Sequence, residues 1–380
     1  MAPRIPRNVI VLGFVSLLAD ISSEMLYPVI PLFVTAVLGA PVSIVGLIEG
    51  AAESTASLMR IASGWWSDRL RRRRPFVVSG YALTALTRLL LAAAHAWAIV
   101  LVARVLDRFG KGLRSAPRDA LIADSTPAEI RGRAFGLHRS MDQLGAVAGP
   151  LLGIWLIGML AGDYRRVFLI AFLPAAASAA CVFLASEQRP AEAANRPHLS
   201  FRAVPPRFRR FLLCIAVFSI GNSSDAFLIL RANQLGYGTQ AVMVLFALFN
   251  ATHVLSAFPA GTLSDRVNRR GVLVCGFTIF ALVYAGFGLV SGPHWLWLLF
   301  GAYGVYHGLA DGVSRALVID LVPAGTRGTA LGLHAATVGL VAFPASVIAG
   351  ILWSSMGPAA PFLFGAAMAA AAAALLWLRS

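Results

Sequence analysis

Residues 104–119 read Arg-Val-Leu-Asp-Arg-Phe-Gly-Lys-Gly-Leu-Arg-Ser-Ala-Pro-Arg-Asp, and they follow the apolar run Ala96–Ala103 with no turn signal between. The stretch therefore continues a membrane-spanning helix. Arg104, Arg108, Lys111 and Arg118 recur at spacings of four, three and seven, along one helical face, with Asp107 and Arg114 beside that stripe. A charge near a bilayer centre costs at least roughly 2.5–3.5 kcal/mol, so the stripe must face a partner or a water-filled cavity.

The rest of the chain is its apolar frame. Of 380 residues 58% are hydrophobic and 13% charged, with a mean hydropathy of +0.75; a soluble domain carries about 25% charged residues. Twelve stretches are long enough to span, at about 9–37, 43–66, 75–95, 97–120, 132–158, 166–186, 210–231, 240–262, 271–291, 294–320, 328–353 and 360–379. The expected fold is an all-α polytopic membrane protein of twelve transmembrane helices. The first stretch, with Asp20 and Glu24 inside it, is too long for a cleaved signal peptide.

The net charge of +15 suggests nucleic acid as a partner, but the basic residues outside the spans sit in short loops and no basic–aromatic module accompanies them. They alternate instead. Odd-to-even turns are nearly uncharged, whereas even-to-odd connections carry Arg69 and Arg71–Arg74, Arg131 and Arg133, Arg266, Arg269 and Arg270, then Arg327; only Arg165 and Arg166 break the pattern. The positive-inside rule then places both termini in the cytoplasm of a multi-pass cell-membrane protein. Cys181, Cys214 and Cys275 lie in separate apolar runs without CxxC spacing and read as small apolar residues.

Residues 187–209, polar and rich in proline and arginine, read as a cytoplasmic linker between two six-helix bundles, 1–186 and 210–380. The halves repeat. Gly64-Trp-Trp-Ser-Asp68-Arg69 recurs as Gly261-Thr-Leu-Ser-Asp265-Arg266, and Arg118-Asp-Ala-Leu-Ile-Ala-Asp124 as Ser314-Arg315-Ala-Leu-Val-Ile-Asp320. Ser22-Ser-Glu24 has its counterpart in Ser223-Ser-Asp225. Parallel repeats with matching motifs mark a transporter, whose substrate site lies between them near the midplane.

These motifs resemble those of the major facilitator superfamily. The loop Gly64-x-x-Ser-Asp68-Arg69 with Arg71–Arg74, and its copy at Gly261–Arg270, is similar to that superfamily's loop between helices 2 and 3. Gly145-x-x-x-Gly149-Pro150-x-x-Gly153 resembles the antiporter motif of its drug:proton exporters, and Asp20 with Pro28 and Pro31 resembles their acidic first helix. The resemblance covers the whole chain and implies proton-coupled export of a small organic molecule. One departure matters: in the exporters an arginine on the fourth span is followed four residues later by glycine, whereas here Arg108 follows Arg104 and the glycines fall at 110 and 112.

Candidate coupling or substrate residues follow. Asp20 and Glu24 on the first span, and Glu49 and Glu53 on the second, are four apart and share a face within each pair. They serve as proton carriers, or as structural ion-pair partners of Arg88, Arg104, Arg108 or Lys111. His138 with Asp142 and His307 with Asp311 repeat the i,i+4 spacing, which suits a divalent metal, a proton relay or a satisfied polar contact. Asn222, Asp225, Asn250 and His253 are expected on the second half's cavity face, with Asp225 opposite Glu24. Asp68, Arg69, Arg118, Asp124, Asp265, Arg266, Arg315 and Asp320 are expected to form cytoplasmic gating latches. Gly145, Gly149 and Gly153 would let a neighbouring helix approach, and Pro150 would bend theirs.

No Gly-x4-Gly-Lys-Ser/Thr loop for ATP is present, and no nucleophile–base–oxyanion arrangement of an enzyme is legible. No cofactor and no resident metal is expected; protons, a small-molecule substrate and the bilayer are the expected partners of a monomer. An anionic solute or metal chelate, met by Arg104, Arg108 and Lys111, is the alternative cargo.

Overall fold

The computed structural model describes residues 5–70, 72–127, 130–187, 205–323 and 326–378, with the side chains of residues 258, 265, 328 and 329 outside the described set. The described residues are helices joined by short turns. In chain order these are α1 (Arg7–Leu26), α2 (Val29–Leu32), a π turn (Phe33–Val37), α3 (Val42–Leu70), α4 (Arg74–Ala92), α5 (Trp97–Asp124), α6 (Arg131–Met159) and α7 (Tyr164–Cys181). They continue with α8 (Pro206–Gly221), α9 (Ala226–Gln234), α10 (Thr239–Arg266), α11 (Arg269–Leu289), α12 (Trp295–Asp320), α13 (Arg327–Met356) and α14 (Ala360–Leu378).

Nine helical stretches among the described residues are long and apolar enough to cross a membrane. The helices α3, α5 and α12 are long enough at 29, 28 and 26 residues, but are not among the nine. These three carry most of the charged and histidine candidates. Polarity, not length, sets them apart.

Two expected spans are interrupted. The first breaks at Tyr27–Pro28 between α1 and α2, where proline cannot donate the helix hydrogen bond. The seventh, expected as one run over 210–231, begins earlier at Pro206 and breaks at residues 222–225. That break, Asn222-Ser-Ser-Asp225, gathers residues whose short polar side chains compete with helical bonding. The Ser224 amide is met by Ser346 Oγ at 3.3 Å and the Ala226 amide by Ser224 Oγ at 3.3 Å. Irregular backbone at membrane depth survives where such partners satisfy it. Most of the expected linker, residues 188–204, lies outside the described residues.

The chain forms two compact units, Met1–Ala40 with Ala51–Ala194, and Pro41–Gly50 with Asn195–Ser380. In the first, α1 packs on α6 and α7, and α4 on α5 and α7. Val9, Leu12, Val15, Val77, Tyr81, Leu121 and Ile122 form a core there. Hydroxyls tie its helices: Ser178 Oγ donates to the Val15 carbonyl and Ser22 Oγ to that of Ala171, each at 2.8 Å.

In the second unit α10 packs on α12, and α11 on α12 and α14. Gly304 and Gly308 lie against Thr252 and Ser256, where any side chain would collide. Its core is aromatic, with Phe218 stacked on Phe277 at 4.1 Å and Phe280 on Tyr284 at 3.9 Å. The first turns of α3 belong here too, Gly46 and Gly50 lying on the α13 backbone near Ser346 and Phe343.

Candidate functional site

The α5 stripe is bound into an ionic network. Arg88 on α4, 1% exposed, places Nη1 3.3 Å from Asp107 Oδ1, while Arg104 Nη1 lies 3.7 Å from Asp107 Oδ2. Arg88 also donates to Ser22 Oγ at 3.0 Å and Ser23 Oγ at 2.9 Å on α1. One carboxylate thus joins two arginines, and α1 supplies the hydroxyls that satisfy the rest of the fork. The close approach of α4 and α5 depends on two glycines: a Cβ on Gly80 would meet the Gly110 carbonyl at 2.6 Å, and one on Gly110 the Gly80 carbonyl at 2.7 Å.

Further along α5 the charges find softer partners. Arg108 Nε lies 3.8 Å from Glu53 Oε2. Arg114 donates to Thr84 Oγ1 at 2.6 Å and stands 4.2 Å above the Tyr81 ring. Lys111 is within electrostatic range of Asp20, Glu24 and Glu53, yet makes no ion pair within 4 Å among the described residues.

Asp20 and Glu24 sit on the face of α1 that the glycine motif covers. A Cβ on Gly145 would lie 2.6 Å from the Leu17 carbonyl and 2.9 Å from Asp20 Cβ; one on Gly149 would lie 2.9 Å from both Glu24 Cβ and the Ile21 carbonyl. The missing side chains therefore bring α6 onto the acidic turns of α1. Pro150 and Gly153 are buried further along α6. Asp142, one turn before Gly145, acts electrostatically on Asp20. Its Oδ1 is buried without a hydrogen-bond partner, while Oδ2 lies 3.5 Å from Arg139.

The expected pairing of His138 with Asp142 is not made. His138 Nε2 lies 3.0 Å from Ser16 Oγ, which also receives Arg118 Nη1 at 2.8 Å and lies 3.2 Å from the Tyr81 hydroxyl. Arg118, expected in a latch, is thus anchored on α1 and paired with Asp119 at 3.0 Å. Glu49 is buried in the second unit's 41–50 segment, so the expected Glu49–Glu53 face is divided between the units.

In the second unit the i,i+4 pair is made: His307 Nδ1 lies 3.6 Å from Asp311 Oδ2, and His253 Nε2 of α10 lies 3.7 Å from the same oxygen. The imidazole centroids are 5.4 Å apart, with Phe249 and Tyr303 packed on His307. Asp225, at the α8–α9 break, accepts from the Tyr303 hydroxyl at 2.6 Å. Asn250 turns back onto its own helix, donating to the Phe246 carbonyl; Asn222 caps α8. Among the described residues no group of three or more His, Cys, Asp or Glu is placed to hold a metal.

At the arginine-bearing ends the connecting residue is Arg73, absent from the expected latch set. It lies 3.3 Å from Asp68 and 2.9 Å from Asp124 Oδ2, the latter an ion pair without hydrogen-bond alignment. Glu187 accepts from the Arg73 and Arg74 amides at 2.7 and 2.9 Å and so caps α4. In the second unit Arg269 pairs with Asp320 at 2.8 Å. Both members of that pair stand 196 residues after Arg73 and Asp124. The repeat offset was the signal that could have found them. Arg69 lies over the Trp65 ring instead, Arg266 and Arg315 are exposed, and the Asp265 side chain is outside the described residues.

A sequence profile of the Major Facilitator Superfamily matches residues 12–251 and 211–380. An uncharacterized MFS-type transporter of Methanocaldococcus jannaschii is 35% identical over 380 residues, covering 97% of this chain and 94% of that one. Multidrug resistance protein MdtH of Escherichia coli is 25% identical over 335 residues, covering 86% of this chain and 80% of that protein. The fold is shared with a bacterial homolog of the human lysosomal transporter Spinster, at a TM-score of 0.77 and 17% identity, covering 97% of this chain and 94% of that one. Relatives of this kind carry solutes across membranes and are not enzymes. The chain is a multi-pass membrane protein of the major facilitator superfamily of transporters.

Proposed function

We propose that this transporter is a secondary active exporter of a small organic molecule, driven by proton exchange across twelve spans with both termini in the cytoplasm. Alternating access would come from one six-helix half rocking on the other around a midplane site. The observation that carries the reading is the acidic face of α1 seated on the glycine seam of α6, with Asp142 and Lys111 beside it. Proton exchange at Asp20 would change the charge balance at that seam, and a proton shared between Asp20 and Asp142 would satisfy the orphaned Asp142 oxygen. The relative named as a multidrug resistance protein supports export.

A second reading concerns the cargo. Among the described residues Lys111 makes no ion pair with a carboxylate within 4 Å, and Arg114 is held by a hydroxyl and an aromatic ring. Positive charge without direct neutralisation favours an anionic solute over a cationic drug. Uptake into everted vesicles, with a panel of organic anions, metal chelates and cationic drugs, tests both readings. Accumulation of an organic solute only under an imposed pH gradient is expected. Transport of that solute indifferent to the gradient would remove proton coupling, and movement of cationic drugs alone would remove the anionic reading.

A further inference from the structure

The first turns of α8 and α11 and the last turns of α12 and α14 enclose a cavity of about 410 Å³ in the second unit. Its apolar lining includes Phe211, Leu213, Leu317 and Leu375, and its charged lining is Arg207, Arg210 and Arg270, with no carboxylate among the described residues. Leu213 is 55% exposed, and Trp377 and Leu378 stand exposed nearby in sequence to Leu375. The cavity thus joins a cluster of guanidiniums to surface suited to hydrocarbon.

The arginines have capacity to spare. Arg270 donates Nε to the Leu376 carbonyl, which uses one of the five N–H groups of its fork. Arg207 and Arg210 make no ion pair among the described residues. Both lie in the first two turns of α8, whose N-cap Pro205 contributes no side-chain cap, so uncapped amides add partial positive charge.

The first unit offers a contrast at the repeat counterpart of Arg270. There Arg74, 196 residues before Arg270, donates to the Phe183 carbonyl at 2.7 Å, and Arg72 and Arg74 line a space of about 570 Å³. That lining includes Glu187, whose carboxylate sits on the Arg73 and Arg74 amides. The first-unit cavity therefore carries its own anion. The second-unit cavity has three arginines and, among the described residues, no carboxylate.

We propose that the second-unit cavity binds a phosphate-bearing anionic lipid, its phosphate held by Arg207, Arg210 and Arg270 and an acyl chain lying along Leu213, Leu317 and Leu375. Each basic residue near a phosphate contributes about fivefold in affinity. Native mass spectrometry of the purified full chain in detergent, titrated with phosphatidylglycerol, phosphatidylcholine or soluble glycerol phosphate, tests the assignment. Phosphatidylglycerol is expected to fill one tight site, with phosphatidylcholine at least tenfold weaker and glycerol phosphate no competitor.

R207Q/R210Q is expected to weaken that site about 25-fold, whereas R72Q in the first unit changes it less than twofold. L317W, which fills the cavity with every arginine in place, should also abolish the tight site; an unaltered melting temperature without lipid certifies its fold. Tight phosphatidylglycerol binding retained in R207Q/R210Q would overturn the proposal, as would equal binding of phosphatidylcholine. Glycerol phosphate competing at comparable affinity would reassign the cavity to a soluble anion and overturn the lipid.

Discussion

The α4–α5 pair of the first unit and the α11–α12 pair of the second are copies 196 residues apart, and they hold their helices together by different chemistry. Arg73 and Asp124 recur as Arg269 and Asp320, and both pairs are made. Gly80 recurs as Gly276, but its close-approach partner Gly110 is replaced by Tyr306, and a Cβ on Gly276 would meet Leu309 and Ala310 only at 3.4 and 3.9 Å. Between these fixed points the ionic pair Arg88–Asp107 falls at the positions of Tyr284 and Tyr303, whose rings lie 6.1 Å apart, and Lys111 at that of His307. The repeat keeps its ends while the middle, including the tight glycine approach, diverges. At the middle of the α4–α5 contact the helices are joined by full charges, whereas the middle of α12 is held by hydroxyl, imidazole and aromatic contacts around two carboxylates, Asp225 and Asp311. An asymmetric transporter is the consequence, with charge concentrated on one half.

That comparison predicts unequal sensitivity. Asp107→Ala leaves two buried guanidiniums without their carboxylate and should cost about 3–5 kcal/mol, read as a large fall in the melting temperature of the purified protein. R88M/D107L should recover much of that loss; a double variant as unstable as D107A would show that the pair is not the cause. Tyr303→Phe removes one charge-assisted hydrogen bond to Asp225 and should cost about 1.5–3 kcal/mol. If Y303F were the more damaging of the two, the contrast between the units would be reversed.

Gly149→Val forces α6 away from Glu24 and should cost about 1–3 kcal/mol by overpacking, with transport falling further than stability. The smallest effects belong to the conserved ends of the repeat. Arg269→Gln breaks an exposed pair and should change stability by about 0.2–1 kcal/mol. Arg73→Gln should exceed it, because Arg73 is buried and serves both Asp68 and Asp124. Equal losses in the two variants would mean that Asp68 adds nothing.

How much of this was legible follows from what helical spacing encodes. Periodicity placed Arg104, Arg108 and Lys111 on one face, and length with apolarity located the helices, because both are properties of a single segment. Partners are not. Arg118 shares the stripe of Arg108 yet bonds Ser16 on α1, and Arg73 looked like one more basic loop residue until the fold brought Asp124 to it. His138 and His307 have the same i,i+4 carboxylate, but only His307 uses it, since Ser16 competes for His138. The break at 222–225 lies in four helix-poor residues, flanked by apolar runs that read as one continuous span. The glycine motif encodes a packing seam, and the fold seats α6 through it on Asp20 and Glu24.

In the proposed mechanism the α1 carboxylates beside that seam exchange the proton that drives transport. The most direct measurement compares wild type with Asp20→Asn in proteoliposomes, using the solute identified in everted vesicles and following both accumulation driven by a pH gradient and solute exchange at equal pH. Asp20→Asn is expected to abolish gradient-driven accumulation while exchange persists. Gradient-driven accumulation equal to wild type in that variant would contradict the mechanism.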